Sequence, residues 1–193
     1  AGLRYERGKL TVDDYLTIPD QRTTPGIHGT RYLVTGGSPE TSETLPNFGV
    51  VWEATDALKL YASYSEGYTV ADIGRVLRAI NRPGQRVENL VDLQPVIADN
   101  QEIGLDYDDG RWLVHLAAFW SDSDLGSRLD YDAATQTYNV ARERTEIDGI
   151  EGSVAFQFSE AGRVGLAYAT THARYDTDKD QRVDADMPRA DVT

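Results

Sequence analysis

The chain has 193 residues, no cysteine, and 32 acidic side chains against 19 basic ones, a formal net charge of -13. That length allows one domain or a little more, and the acidic balance excludes nucleic acid, since phosphate recognition needs clustered Lys and Arg. Without cysteine there is no disulfide framework and no thiolate metal site. No run of about 18 apolar residues supplies a transmembrane helix, but this leaves barrel strands open, because they are only about 9–11 residues long with alternate positions polar.

Taken in order, Ala1 to Ile18 alternates and is β-rich, which predicts one long strand broken only at Gly8. Pro19 to Pro46 turns to Thr, Pro, Gly and Ser and reads as a long loop. Asn47 to Thr69 predicts a hairpin: Phe48, Val50 and Trp52 alternate on the strand leading into a short turn at Thr55-Asp56-Ala57, and Leu58, Leu60, Ala62 and Tyr64 on the strand leading out of it. Val70 to Ile97 is another long connection, in which Val70, Ile73, Leu77 and Ile80 recur at helical spacing.

The most secure element lies within Leu93 to Leu129. Ile103, Leu105 and Tyr107 alternate with Glu102, Gly104 and Asp106, and Trp112, Val114, Leu116, Ala118 and Trp120 alternate with Leu113, His115, Ala117, Phe119 and Ser121. Asp108-Asp109-Gly110 between them is a tight-turn signal. Asp130 to Glu143 is polar and reads as a connection; Glu146 to Phe158 alternates again, turns at Ser159–Gly162, and returns through Val164, Leu166 and Tyr168. Asp176 onward is acidic. Such hairpins fit either a soluble β-sandwich or an outer-membrane barrel with lipid on its apolar face. The short turns alternate with the long connections, and Trp52, Tyr107, Trp112 and Phe158 gather near the short turns. A barrel explains both, with short periplasmic turns, long extracellular loops and an aromatic girdle at the lower interface.

Four motifs carry a resemblance: Tyr61-Ala62-Ser63-Tyr64-Ser65-Glu66-Gly67-Tyr68, Asn100-Gln101-Glu102-Ile103-Gly104, Ala117-Ala118-Phe119 and Ile147-Asp148-Gly149-Ile150-Glu151-Gly152. In this order, over roughly Asn47 to Tyr168, they resemble consecutive barrel strands of TonB-dependent siderophore receptors of the ferric hydroxamate and aerobactin kind. The resemblance implies an all-β fold: an up-and-down antiparallel transmembrane β-barrel segment of about seven strands, from a barrel that closes at about 22. It implies residence in the bacterial outer membrane, lipid contact, a ferric siderophore as transported ligand with no cofactor, uptake energised by TonB, and no catalysis. The family's plug domain, TonB box and last strands are not found in residues 1–193, which read as a slice of the wall. The alternatives are a TonB-dependent transporter of another cargo, a porin-like channel, or a soluble β-sandwich binding module.

Tyr68, Arg75, Arg78 and Arg82, with Arg86 beyond them, and Tyr138, Arg142 and Arg144 are the ligand-binding candidates, because guanidinium groups in outer loops would meet an anionic chelate through charge-assisted hydrogen bonds. The blander account is that these arginines pair with neighbouring loop acids. Glu102, Glu151 and Gly67 have an architectural reading. His28, His115 and His172 are scattered and suggest no metal site. Asp176 to Asp186 begins like a calcium loop but has Gln181 where Gly is needed and Met187 where the bidentate Glu belongs. Asp106–Asp109 needs no acid–base chemistry to explain it, since its turn geometry suffices.

Overall fold

The computed structural model describes residues 1–70, 72–90, 94–132, 137–178 and 182–186; along 127–132, 137–140 and 185–186 it describes the backbone alone. The strands are β1 (Gly2–Lys9), β2 (Tyr15–Leu16), β3 (Leu33–Val34), β4 (Glu40–Glu53), β5 (Leu58–Thr69), β6 (Val96–Asp108), β7 (Trp112–Asp132), β8 (Thr137–Ser159), β9 (Gly162–Tyr175) and β10 (Ala185–Asp186). One helix, α1 (Ile73–Ala79), and a 3-10 turn at Val87–Asn89 lie between β5 and β6. The main sheet runs β1-β4-β5-β6-β7-β8-β9-β10, antiparallel throughout, seven long strands plus the two-residue β10, while β2 and β3 pair separately. Among the described residues the second sheet is only the two-residue β2–β3 pairing, too small to be the other layer of a sandwich, so the β-sandwich alternative fails.

The turns set the register. At the β6–β7 turn Gly110 has φ +81°, a conformation that a residue without Cβ adopts at no steric cost. Asp108 Oδ1 accepts from the Gly110 N–H at 2.8 Å, and Asp109 Oδ1 accepts from the N–H groups of Trp112 and Arg111 at 2.6 and 2.9 Å. Those donors hold the Asp109 carboxyl below the usual carboxylate range. Asp106 then falls opposite His115, and Leu105 opposite Leu116.

Because one register runs across all the hairpins, the two faces are continuous. One face carries Phe48, Val50, Trp52, Leu60, Ile103, Leu105, Trp112, Val114, Leu116, Trp120, Ile150, Val154, Val164 and Leu166, matched by cross-strand pairs such as Trp52↔Leu60, Trp112↔Phe156 and Val154↔Leu166. Most of these stand exposed, Leu116 at 49% and Leu166 at 72%. Trp112 and Trp120, eight positions apart on β7, are about 27 Å apart along the strand; at a barrel tilt of about 40° the band between them is about 20 Å tall. The opposite face is polar and small-residued. There His115 Nδ1 lies 2.8 Å from Asp106 Oδ1 and its Nε2 3.7 Å from Glu151, with the Tyr61 ring stacked at 6.4 Å.

Four sequence boundaries change. The expected single strand Ala1–Ile18 stops at Lys9, where β4 begins opposite it, leaving no further partner in the main sheet. The chain instead folds back on its own loop: the Leu10 N–H donates to Pro39 O and the Val12 N–H to Gly37 O, both at 3.0 Å. The expected loop Pro19–Pro46 gives up Glu40–Pro46 to β4, and Pro46 is tolerated because pairing with β5 begins only at Asn47. The central hairpin reaches back to Val96, well before Glu102. Asp130–Glu143, expected as a connection, lies largely in strands: β7 runs 21 residues to Asp132 and β8 resumes at Thr137. About 10 residues cross a bilayer, so this hairpin overshoots the apolar band by as much again. The helical spacing from Val70 to Ile80 is realised as α1. Gln181 and Met187, which decide the calcium-loop question, lie outside the described residues.

Candidate functional site: a cap at the long-connection end

At the end of the sheet opposite the short turns, residues 10–39 and 72–90 pack into one small body. Its core is Val34, Val76 and Val87, exposed by 0%, 5% and 1%, with Leu10, Val12, Tyr15, Ile73, Leu77, Ile80 and Leu90 around them. The backbone stitches the two connections together: the Thr35 N–H donates to Gln85 O and the Val87 N–H to Thr35 O, each at 3.0 Å. Helix α1 starts where the Asp72 carboxylate accepts from the Arg75 N–H at 3.0 Å, an N-cap that satisfies an otherwise unpaired donor. Its apolar side, Ile73, Val76 and Leu77, faces the core.

A buried ion pair pins the assembly. Asp20, 6% exposed, receives the Arg22 guanidinium through Nη2 at 2.6 Å and Nε at 3.0 Å. The same Nη2 donates to Asn81 O at 3.0 Å and to the Tyr32 hydroxyl at 3.3 Å, so one side chain ties the first connection to the second. Hydrogen bonds from Arg22 hold the Asp20 carboxyl below its ordinary 3.8, outweighing a burial effect of opposite sign. The Tyr15 hydroxyl donates to Leu77 O at 2.9 Å, and burial pushes its pKa up from 10.0.

The arginine candidates are partly brought together here. Arg75 lies beside Asp72, Nε to Oδ2 3.4 Å, and Arg78 is exposed with its Nε donating to Gly74 O at 3.0 Å. Arg82 and Arg86 are exposed and make no side-chain hydrogen bond or ion pair among the described residues. Arg78 borders a hollow of about 390 Å3 whose lining is Val12, Tyr15, Leu16, Ile18 and Leu77 together with Asp13 and Asp14. Arg142, 8% exposed, faces the base of this connection: its Nη2 donates to Gln94 O at 2.6 Å and Pro95 O at 3.3 Å. Tyr68 is half-buried at the end of β5, its hydroxyl 3.3 Å from Thr41 Oγ1. The side chain of Tyr138 lies outside the described residues.

Arg144 belongs elsewhere, on a ladder that continues the apolar face past Trp120. The ladder runs His172, Asp148, Arg174, Glu146, Arg144, Asp122, with consecutive contacts of 3.7, 3.2, 3.5, 3.1 and 2.9 Å. The sequence reading missed this ladder, the Asp20–Arg22 pair and the carboxylates beside His115. Cross-strand register explains the ladder and the histidine, and for the histidine the signal was present: the turn at Asp108–Gly110 places Asp106 opposite His115. An exposed guanidinium beside an apolar hollow, here Arg78, can hold an anionic group by charge-assisted hydrogen bonds. Among the described residues no three of His, Asp and Glu converge as a metal-ligand set.

Relatives are similar over most of this chain. The chain is 25% identical over 166 residues to the "Ferric aerobactin receptor" of Klebsiella pneumoniae, covering 80% of this chain and 22% of the relative. It is 24% identical over 175 residues to the "Rhizobactin receptor" of Rhizobium meliloti (strain 1021), covering 86% and 23%. The chain thus spans less than a quarter of the curated relatives it matches. Among solved structures it superposes on the "Copper transporter OprC" with a TM-score of 0.68 at 12% identity, over 89% of this chain and 26% of that one. It superposes on the FrpB iron transporter from Neisseria meningitidis (F3-3 variant) with 0.52 at 17% identity, over 90% and 23%. Both likenesses concern the fold alone. The family model "TonB dependent receptor-like, beta-barrel" matches residues 1–191, and the chain therefore belongs to the TonB-dependent receptor β-barrel family.

Proposed function

We propose that this chain is part of the wall and outer cap of an outer-membrane receptor for ferric siderophores. The observation that carries the reading is the polarity of the sheet. An apolar band bounded by aromatics lies on one face, short turns close one end, and a cap with exposed Arg78 and Arg82 and half-buried Arg75 stands at the other. The band faces lipid and the short turns face the periplasm. The cap takes part in capturing an anionic iron chelate outside the cell, and the chelate passes inward in the longer receptor when its plug is rearranged by TonB. No bond is made or broken in the ligand, so the protein is not an enzyme. The two receptors similar in sequence, with aerobactin and rhizobactin in their names, support the ligand class.

The test uses the full-length receptor in an iron-starved outer-membrane host lacking its own siderophore receptors. Uptake of radioactive iron from hydroxamate-type chelates is expected, and Arg78→Glu with Arg82→Glu should weaken chelate binding about tenfold, the loss of roughly 1.4 kcal/mol of charge-assisted bonding. Uptake of no ferric chelate would overturn the siderophore assignment.

A further inference from the structure

We propose that the hollow beside Arg78 is the socket for the outer connection of the neighbouring wall strand, the strand that pairs with the free edge of β1 in the longer receptor. This rests on the outer-membrane reading, in which the sheet closes and leaves no unpaired edge. The first observation is a register that does not stop at the wall. Gly2↔Asn47 and Lys9↔Glu40 in β1 and β4, the bridge Val12↔Gly37, and Tyr15↔Val34 and Leu16↔Leu33 in β2 and β3 are steps of one antiparallel ladder. Across it the Leu10 and Thr17 N–H groups donate to Pro39 O and Tyr32 O at 3.0 and 2.9 Å. Residues 2–17 and 32–47 are thus one ribbon that rises from the wall into the cap. Along residues 10–18, the side turned away from 32–39 continues the free edge of β1.

The second observation is where the hollow lies. This space of about 390 Å3 is lined by residues 12–16 and Ile18 of that strand and by Leu77 and Arg78 of α1, and by none of 32–39. It therefore opens on the free edge. Leu16 and Ile18 stand 57% and 50% exposed there, and lipid does not reach them. The register carries Trp120, the upper aromatic of the band, through Gln101 and Tyr64 to Phe48, and Leu33, the partner of Leu16, lies roughly 50 Å beyond Phe48 along the ribbon. The walls are fixed before anything enters, because Leu77 packs on the cap core and its carbonyl accepts from the Tyr15 hydroxyl at 2.9 Å. The charges say what enters. Asp14 Oδ1 already accepts from the Gly36 N–H at 2.7 Å, whereas Asp13 makes no side-chain hydrogen bond or ion pair among the described residues. An apolar side chain of the neighbouring connection fills the hollow, and a Lys or Arg beside it meets Asp13.

The test uses the full-length receptor in the outer membrane of intact cells, with photoreactive p-benzoylphenylalanine placed at Arg7 in one variant and at Ile18 in another. Mass spectrometry then locates the cross-linked peptides. The Arg7 position should identify the strand on the free edge, and the Ile18 position should capture the outer connection that runs on from that same strand. Because a bulky group at Ile18 could block the socket, the same reagent at Asp13 should capture the same connection from its mouth. Ile18→Asp should release that connection, which added proteinase K should then cut about tenfold faster. Capture of a different connection, of a plug segment or of no protein from both Ile18 and Asp13 overturns the proposal. So does a cross-link that disappears when a ferric hydroxamate chelate is added, which would assign the hollow to the ligand. The Arg7 variant separates the two failures: if it meets no strand, the closed-barrel reading falls and this inference with it, whereas a strand at Arg7 without its connection at Ile18 removes only this inference.

Discussion

In the wall, Leu116, Ile103 and Ile150 stand 49%, 53% and 53% exposed, whereas in the cap Val34, Val87 and Val76 are at 0%, 1% and 5%. In the membrane reading proposed above, the two regions are built by one chain against different solvents. The wall satisfies its backbone groups through the antiparallel ladder and leaves its apolar side chains for hydrocarbon to cover. The cap hides a small core from water, as any soluble body does. A charge should therefore be costly in both places for different reasons: in the wall because lipid cannot solvate it, in the cap because protein cannot.

Val34→Asp tests the cap most severely. An unpaired carboxylate buried in a core of three valines should cost about 3–5 kcal/mol and open the cap. In the full-length receptor the outer connections should then be cut by added protease while the heat-modifiable mobility of the barrel is unchanged. If barrel and cap are lost together, the two regions are one cooperative unit and the comparison fails. Leu116→Arg, midway between Trp112 and Trp120, should lower the stability of the lipid-embedded barrel by about 2–4 kcal/mol in denaturant titration. The cap should remain protease-resistant. A negligible effect would mean that Leu116 lies away from the mid-plane.

How much of this was legible follows from the same contrast. The wall was readable because a period of two survives from Phe48 to Tyr168 and because Asp108-Asp109-Gly110 fixes one turn. The strands through Asp130–Glu143 were missed although Leu129 and Tyr131 alternate with Arg128, Asp130 and Asp132, and Tyr138 and Val140 with Asn139: two apolar positions a side are too short a run to outweigh the polar composition around them. The cap was legible only at α1. Val34 and Val87 come from stretches too short to show a period, and nothing local says that Val76 of α1 meets them. Arg142 looked like a loop cation because nothing local announces that the carbonyls of Gln94 and Pro95 lie beside it.

A smaller effect should come from Asp20→Asn, which keeps shape but weakens the bonds to Arg22. About 1–2 kcal/mol of cap stability should be lost, seen as faster hydrogen exchange at Tyr32 and Asn81. Acid should do the same to the unmodified protein. Because the folded pKa of Asp20 is depressed below 3.8, its contribution is complete above that value and disappears as pH falls from there through the folded pKa. The cap should loosen in that window, and exchange at Tyr32 that is independent of pH below 4 would remove Asp20 from its role. The smallest effect is expected for Arg7→Ala, whose partner Glu40 lies 2.7 Å away on the exposed rim: no measurable change in either region's stability.

The shared core under residues 10–39 and 72–90 also determines what can be exchanged between receptors of this family. A chimera that imports the first connection alone would bring Val34 and Arg22 without Val76, Val87 and the Asn81 carbonyl they meet. The transplantable piece is the pair, cut at Lys9 and Glu40 and again at Thr69 and Val96, where the strands of the wall take over. A substitution in one connection is correspondingly felt in the other, so the two form a single module although about thirty residues of wall separate them.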